Sequence, residues 1–315
     1  MGVYMDQKPR IKGNWLELEI DEQTAGKTIE QILKEDLFIS GRMIQRLTRQ
    51  KGLFLNRKPP FLKKKGKKGD LLRVLIGDRD EGALSLIPQE IPIEVVYEDG
   101  EVLVVNKQPG LMVHPIKPGQ SGTLANGIAY YWLSKGMTGK VRPVHRLDKD
   151  TTGLILIAKN SYIHQLLDRQ LRENQIHRGY LAIVEGQLQS KKGSFRDPIG
   201  QDPNNPVKRA VSSKGEEAIT HFEVLKEFPG ASLVQVRLET GRTHQIRVHF
   251  HYAGHSVIGD TLYGNPHPWI GRQALHAYQL AFYHPLKGEN MEFTLELPED
   301  MQNLVEKVSA DNQNQ

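Results

Sequence analysis

The sequence predicts an α+β chain: a mixed, mostly antiparallel sheet with flanking helices, preceded by a small N-terminal α/β module. Three observations lead there. Apolar segments of strand length come in runs with scattered helices, not in regular strand–helix alternation. Asp99-Gly100 sits between two apolar runs, the signal of a β-hairpin turn. Charge is unevenly spread: residues 41–73 hold 12 Lys+Arg against the single acid Asp70, which leaves −6 on the rest of a chain whose net charge is +5. A basic lobe on a mildly acidic body points to a polyanionic partner.

The elements follow in order. Trp15 to Ile20 alternates as a strand. Ile29, Ile32, Leu33 and Leu37 have helical spacing, so a helix is expected over 28–37. Ser40 caps a second helix with Met43, Ile44 and Leu47 inward and Arg42, Arg46 and Arg49 on its other side. Leu53–Leu55 and Leu71–Ile76 read as strands, and the run Lys63, Lys64, Lys65, Lys67, Lys68 lies between them. This gives a tail over 1–14, a module over 15–82 and a Pro-containing linker over 83–92. The larger domain spans 93–306. It opens with the hairpin 93–105 and a helix capped by Thr123. A buried strand Leu154–Ala158, a helix Tyr162–Leu171 and a strand Tyr180–Gly186 come next. Residues 187–215 read as polar turns. Paired strands 218–228 and 233–238, a helix beginning at 239 and running through Phe250, and late strands 275–283 and 291–295 complete it. Residues 307–315 read as a frayed tail.

Composition narrows the chemistry. The chain has no cysteine, which excludes disulfides, thiolate metal sites, iron–sulfur clusters and cysteine nucleophiles. No apolar run approaches the ~18 residues a membrane span needs, and the first residues lack an apolar signal core. A cytoplasmic location without membrane association is expected.

The densest chemistry lies in Pro143-Val144-His145-Arg146-Leu147-Asp148-Lys149-Asp150-Thr151-Thr152-Gly153. A charged turn closed by Arg–Asp pairs is one reading of it. Other chemistries fit poorly. His244, His249, His251 and His255 lack metal-site spacing, and no HExxH pattern exists. The Gly-rich stretch 118–123 lacks the Lys and spacing of a P-loop. No nucleophile elbow is present. A lone carboxylate, Asp148 between Arg146 and Lys149, remains. Nearby cations favour its ionised form, which suits attack on an electrophilic carbon. Asp150 is too close in sequence to serve as the opposed partner of a two-carboxylate glycosidase.

The segment His145 to Leu154 resembles the signature of the RluA-type pseudouridine synthases. The resemblance extends over about 90–300 through further ordered blocks: Asn106-Lys107-Gln108-Pro109-Gly110-Leu111 with Val113-His114-Pro115, Tyr180-x-Ala182-x-Val184-x-Gly186, Thr240-Gly241-Arg242-Thr243-His244-Gln245-Ile246-Arg247-Val248-His249, Gly259-Asp260-x-x-Tyr263-Gly264, and Leu275-His276-Ala277 with His284-Pro285. Thr152 stands where Ser is common, and Arg178 where Lys often precedes the Tyr by two; each keeps the hydroxyl or the charge. About 60 residues of the N-terminal module loosely resemble the S4-type RNA-binding domain, through Ser40-x-Arg42-x-Ile44-x-Arg46-Leu47, Gly52 to Lys58 and Gly69-Asp70.

The resemblance implies the pseudouridine synthase fold and conversion of uridine in RNA to pseudouridine, without cofactor or metal. It makes Asp148 the essential carboxylate, attacking C1′ or deprotonating the sugar. Tyr180 would lie under the flipped base, and Arg247 would pair with Asp148, with Arg242 as second choice for that role or as a phosphate contact. Arg146 would fill the gap left by the flipped base, and His145 would help hold the loop at the substrate. Arg42, Arg46, Lys63, Lys64 and Lys65 are the expected RNA contacts of the module. A monomer acting on ribosomal RNA, ahead of transfer RNA, is expected.

Overall fold

The structure, a computed structural model, describes residues 9–77, 86–117 and 119–310. The N-terminal part comprises β1 (Arg10–Lys12), β2 (Trp15–Glu19), α1 (Ile29–Gln31), α2 (Gly41–Arg49), β3 (Leu53–Leu55) and β4 (Leu71–Leu75). The strands form an antiparallel sheet in the order β1-β2-β4-β3. Thr28 closes a capping box with Gln31, and the Ser40 hydroxyl accepts the Met43 N–H, so both helix starts carry local signals. The helix expected over 28–37 widens after one turn into a π-helical stretch, Ile32–Asp36, in which the Leu37 N–H reaches Ile32 O. All four of its apolar residues, Ile29, Ile32, Leu33 and Leu37, are buried. Arg10–Lys12, expected as tail, is a strand paired with β2.

The larger part runs β5 (Glu94–Glu98), β6 (Val102–Lys107), α3 (Leu124–Ser134), β7 (Arg142–Pro143), β8 (Thr152–Ala158), α4 (Ser161–Arg172) and β9 (His177–Glu185). It continues through β10 (Lys192–Phe195), β11 (Ile199–Gln201), β12 (Arg209–Val211), β13 (Thr220–Phe228) and β14 (Ala231–Leu238). It closes with α5 (Gln245–Tyr252), β15 (Leu275–Tyr283), β16 (Asn290–Thr294) and α6 (Glu299–Ala310). The main sheet has the order β10-β13-β14-β9-β15-β8-β6-β5, with β16 on β15 and β7 on β8. All its pairs are antiparallel except β15 with β8. Gly153 sits at that parallel crossing, with φ +112° and so little room that a Cβ would lie 2.2 Å from Ala277 O. Only glycine lets the strand behind the charged loop enter the sheet there.

Three expectations are corrected. Residues 187–215 contain three short strands, because Ile199 and Phe195 turn inward among polar neighbours. The helix expected from 239 starts at Gln245, since His244 holds a left-handed backbone, φ +59°, that no α-helix continues through. The frayed end expected from 307 is helical to Ala310, because Met301, Leu304 and Val308 put one apolar stripe into the core; residues 311–315 lie outside the described residues.

The module does not stand apart. One continuous apolar cluster joins Leu16, Ile44 and Leu72 to Val102, Leu156, Ile163 and Phe282 of the main sheet and α4. The Gln165 amide accepts from Ser40 N–H at 2.9 Å and donates to Phe38 O, while Ser161 Oγ donates to Ile76 O at 2.8 Å. Of the linker expected over 83–92, residues 83–85 lie outside the described residues. The rest is tied to α3: Asn126 donates to Ile87 O, and Gln89 N–H reaches Asn126 O.

Candidate active site

Five segments converge on a cleft of about 1120 Å³. They are β7 with the loop before β8, α4 with the turn after it, the start of β9, the loop 239–244 with the first turn of α5, and the loop 112–116 after β6. Seven Lys and Arg side chains line it against three carboxylates, so the cleft attracts anions.

At its centre Arg247 Nη1 donates to Asp148 Oδ2 at 3.0 Å. The other edge of the same guanidinium forms a bidentate pair with Asp260, at 2.6 and 2.8 Å. The Arg247 side chain is 7% exposed and that of Asp260 1%, whereas Asp148 keeps 24%. One carboxylate is therefore sealed and locks the arginine; the other stays open to the cleft. Burial pushes Asp260 up, but the Arg247 hydrogen bonds and charge, with the Leu262 and Tyr263 N–H groups, outweigh it and hold it below the usual range. Burial likewise pulls Arg247 down, and Asp260 and Asp148 more than reverse this. The Tyr263 ring lies 5.1 Å from the Arg247 guanidinium, in cation–π range.

The loop that carries Asp148 is anchored from below. Lys107 is fully buried, and its Nζ donates to Gln108 O, Leu111 O and Lys149 O at 2.7–2.9 Å. Three acceptors match the three donors of an ammonium. Burial pulls this lysine down to about 7, with Asp150 and Asp148 pulling it back. Asp150 is spent on the same scaffold, accepting the Gly110 N–H at 3.1 Å.

Tyr180, on β9, is 5% exposed and lines the cleft; burial drives its phenol up, so it is a hydroxyl near neutrality. His145 is 7% exposed, and its Nε2 accepts the Leu156 N–H at 3.3 Å. Burial and then Arg178 depress it to about 3, so it is neutral. It braces the loop against β8. Arg146 points out and is exposed.

Arg242 lines the cleft but does not reach Asp148; it donates to Glu217 O at 2.8 Å and Glu216 at 2.5 Å. In the module, Arg42, Lys63, Lys64 and Lys65 are exposed. Arg46, expected at RNA, is half-buried and donates to Ser161 Oγ of α4 at 3.1 Å, so it serves the contact between the two parts. Asp260, Tyr263 and Lys107 were not singled out from sequence, and His244 was weighed only as a metal ligand. Each belongs to a motif block that could have flagged it.

The histidines after 244 take separate partners: His249 pairs with Thr220 and Asp197 O, His251 with Ser256, and His255 with Glu185 O. Among the described residues, Asp99, Glu101 and His284 have metal-site spacing, but Asp99 already accepts from His284, Lys287 and two backbone N–H groups. No helix among the described residues is long and apolar enough to cross a membrane.

Residues 101–252 match the RNA pseudouridylate synthase family, and residues 16–72 match the RluD ribosomal pseudouridine synthase N-terminal domain. The chain is 42% identical over 295 residues to the RNA pseudouridine synthase YhcT of Bacillus subtilis, covering 93% of this chain and 97% of that one. It is 42% identical over 242 residues to the ribosomal large subunit pseudouridine synthase D of Zymomonas mobilis, covering 72% and 76%. The fold is similar to that of human RNA pseudouridylate synthase domain containing 4, with TM-score 0.57 at 22% identity over 68% of this chain and 92% of that one. With an anchored, open carboxylate in a cationic cleft and these matches along its length, the chain belongs to the RluA-type family of RNA pseudouridine synthases.

Proposed function

We propose that this protein isomerises uridine to pseudouridine in large-subunit ribosomal RNA, with the target base flipped into the cleft and Asp148 acting on its sugar. The observation that carries the reading is the pairing of Asp148 with Arg247, itself locked by Asp260, beside the buried Tyr180. Arg247 aims Asp148 through their hydrogen bond, while a quarter of the carboxylate side chain stays accessible. Tyr180 supplies a flat surface for the base. Its raised pKa makes it a poor base at neutral pH, so stacking and positioning are its first role.

The target must leave its stack, which costs a few kcal/mol. Arg146, exposed next to Asp148, fills the vacated space by stacking and hydrogen bonding. Arg242 at the cleft wall contacts a phosphate, and His145 holds the loop. Arg42 and the Lys63–Lys65 run add affinity through the phosphate backbone, as in an S4-like domain. The ribosomal substrate rests on relatives such as the Zymomonas mobilis enzyme, whose name gives the large ribosomal subunit. The test maps pseudouridines in ribosomal and transfer RNA from cells lacking the protein. Loss at a large-subunit site, restored by the wild-type chain and not by Asp148→Asn, is expected. Loss only in transfer RNA would overturn the substrate.

A further inference from the structure

Arg178 is a buried cation without a counter-charge. It is 7% exposed, and none of the described residues accepts a hydrogen bond or ion pair from it. Its Nε is sealed from solvent with no acceptor. Two residues on, Tyr180 lies on the same face of β9, and both side chains line the cleft. The guanidinium rests against Gly241: a Cβ there would lie 2.9 Å from Arg178 Nη1. Its other neighbour, His145, is neutral and supplies no negative charge. Contrast Arg247, equally buried but matched by two carboxylates. A desolvated, unpaired charge is costly to keep in a fold. It makes sense where negative charge arrives from outside.

We propose that Arg178 is the electrostatic partner of the uracil leaving group, bound to O2 or O4 of the base resting on Tyr180. The inference rests on the uridine-isomerising reading of the cleft. As the N1–C1′ bond breaks, its electron pair passes to the base and spreads over N1, O2 and O4. C1′ is completed either by an Asp148 oxygen or by the electrons of the C2′–H bond, whose proton goes to Asp148. Both routes leave an anionic uracil, and both are served by a fixed cation beside it. In the rejoining step C5 bonds to C1′ as the C1′–oxygen bond to Asp148 breaks or, on the second route, as Asp148 returns its proton to C2′; C5 then loses its proton and N1 gains one. Nothing is oxidised or lost. A ground-state phosphate is the weaker candidate for this site. Phosphates stay at the solvent side of a nucleotide, where Arg146 and Lys149 are exposed, whereas Arg178 lies on the floor with Tyr180 and His145.

The test measures single-turnover rate at saturating RNA and, separately, RNA dissociation constant, with the full chain. Arg178→Met is expected to lower the rate by about 10²–10³-fold, the scale of a lost charge-stabilising donor, with the dissociation constant changed less than about threefold. Arg178→Lys keeps part of the rate. Millimolar guanidinium partly rescues Arg178→Ala and does not rescue Asp148→Asn. Because no partner is orphaned, Arg178→Met melts no lower than wild type. Gly241→Ala, which crowds only the tip of Arg178, gives an intermediate rate loss. An unchanged rate, or a loss carried wholly by the dissociation constant, overturns the proposal and in the second case assigns Arg178 to a phosphate. A melting temperature that falls while the rate holds makes it a structural residue and also overturns it. Failure of the underlying reading looks different: the wild-type chain then forms no pseudouridine in any RNA.

Discussion

Two cationic regions of this molecule use charge in opposite ways. In the cleft, Arg247 is almost sealed from water and clamped from two sides, by the buried Asp260 and the partly open Asp148. In the N-terminal module, Lys63, Lys64 and Lys65 have exposed side chains on a backbone that is itself pinned. Ile29 N–H reaches Lys64 O, Gly26 N–H reaches Gly66 O, and Gly66 N–H reaches Lys27 O. The difference is one of dielectric. Exposed charges act over a screening length of about 8 Å at physiological salt and give affinity without precision. Buried charges act strongly but only at the atoms they are aimed at. On the proposed function, the lysine run would gather RNA and the cleft would act on one nucleotide.

The largest break in that comparison is Asp148→Asn. It should cut pseudouridine formation on the order of 10⁴-fold or more, read by mass spectrometry of purified transcripts, while RNA affinity changes little. Substantial residual activity would remove Asp148 from the chemistry. Asp260→Asn comes next. It leaves Asp148 in place but takes the lock from Arg247; turnover should fall by about 10²-fold, and breaking a buried pair costs up to about 3–5 kcal/mol. Chemical denaturation measured beside the rate separates the two losses. An enzyme indifferent to Asp260→Asn would mean that Asp148 alone suffices to hold Arg247.

Replacing Lys63, Lys64 and Lys65 by Ala should leave the saturated rate unchanged. It should weaken binding about tenfold and flatten the log–log salt slope by about 2, as expected for three phosphate contacts on single-stranded RNA. An unaltered slope would show that RNA passes elsewhere.

The smallest effect concerns pH. His145 has a folded pKa near 3 against an ordinary 6.5, because burial and Arg178 disfavour its charged form. Between these values the unfolded chain binds the extra proton. The stability it contributes is full above pH 6.5 and is lost as pH falls, with a slope of at most about 1.4 kcal/mol per pH unit. Denaturation midpoints between pH 7 and 4 should show this slope, and His145→Gln should reduce it.

Much of the frame was legible because its signals are local. Asp99-Gly100 marks the β5–β6 hairpin, Thr123 and Ser40 cap α3 and α2, and the unbroken apolar run before Lys159 is the fully buried β8. What escaped was set by tertiary contact. Lys107 stands in a motif block with no role visible from its neighbours, and it is buried because three carbonyls from two loops meet at its ammonium. Arg46 reads as a basic face and is taken by Ser161, 115 residues on. The residues near Glu306 read as a polar tail and form a helix only because Leu304 and Val308 find a core to enter.

By itself, the sequence determined the periodicities, the caps, the turn and the motif blocks that point to a carboxylate enzyme acting on RNA. These depend on neighbours within a few residues, where side-chain chemistry and backbone preference act directly. Only the tertiary structure decided which arginine meets Asp148, that Asp260 stands behind it, and that Arg178 is left unpaired beside Tyr180. The Asp148–Arg247 pairing joins a loop to a helix 99 residues on. Its geometry depends on strand register and on the direction each loop leaves the sheet, and neither is written in any single stretch of chain.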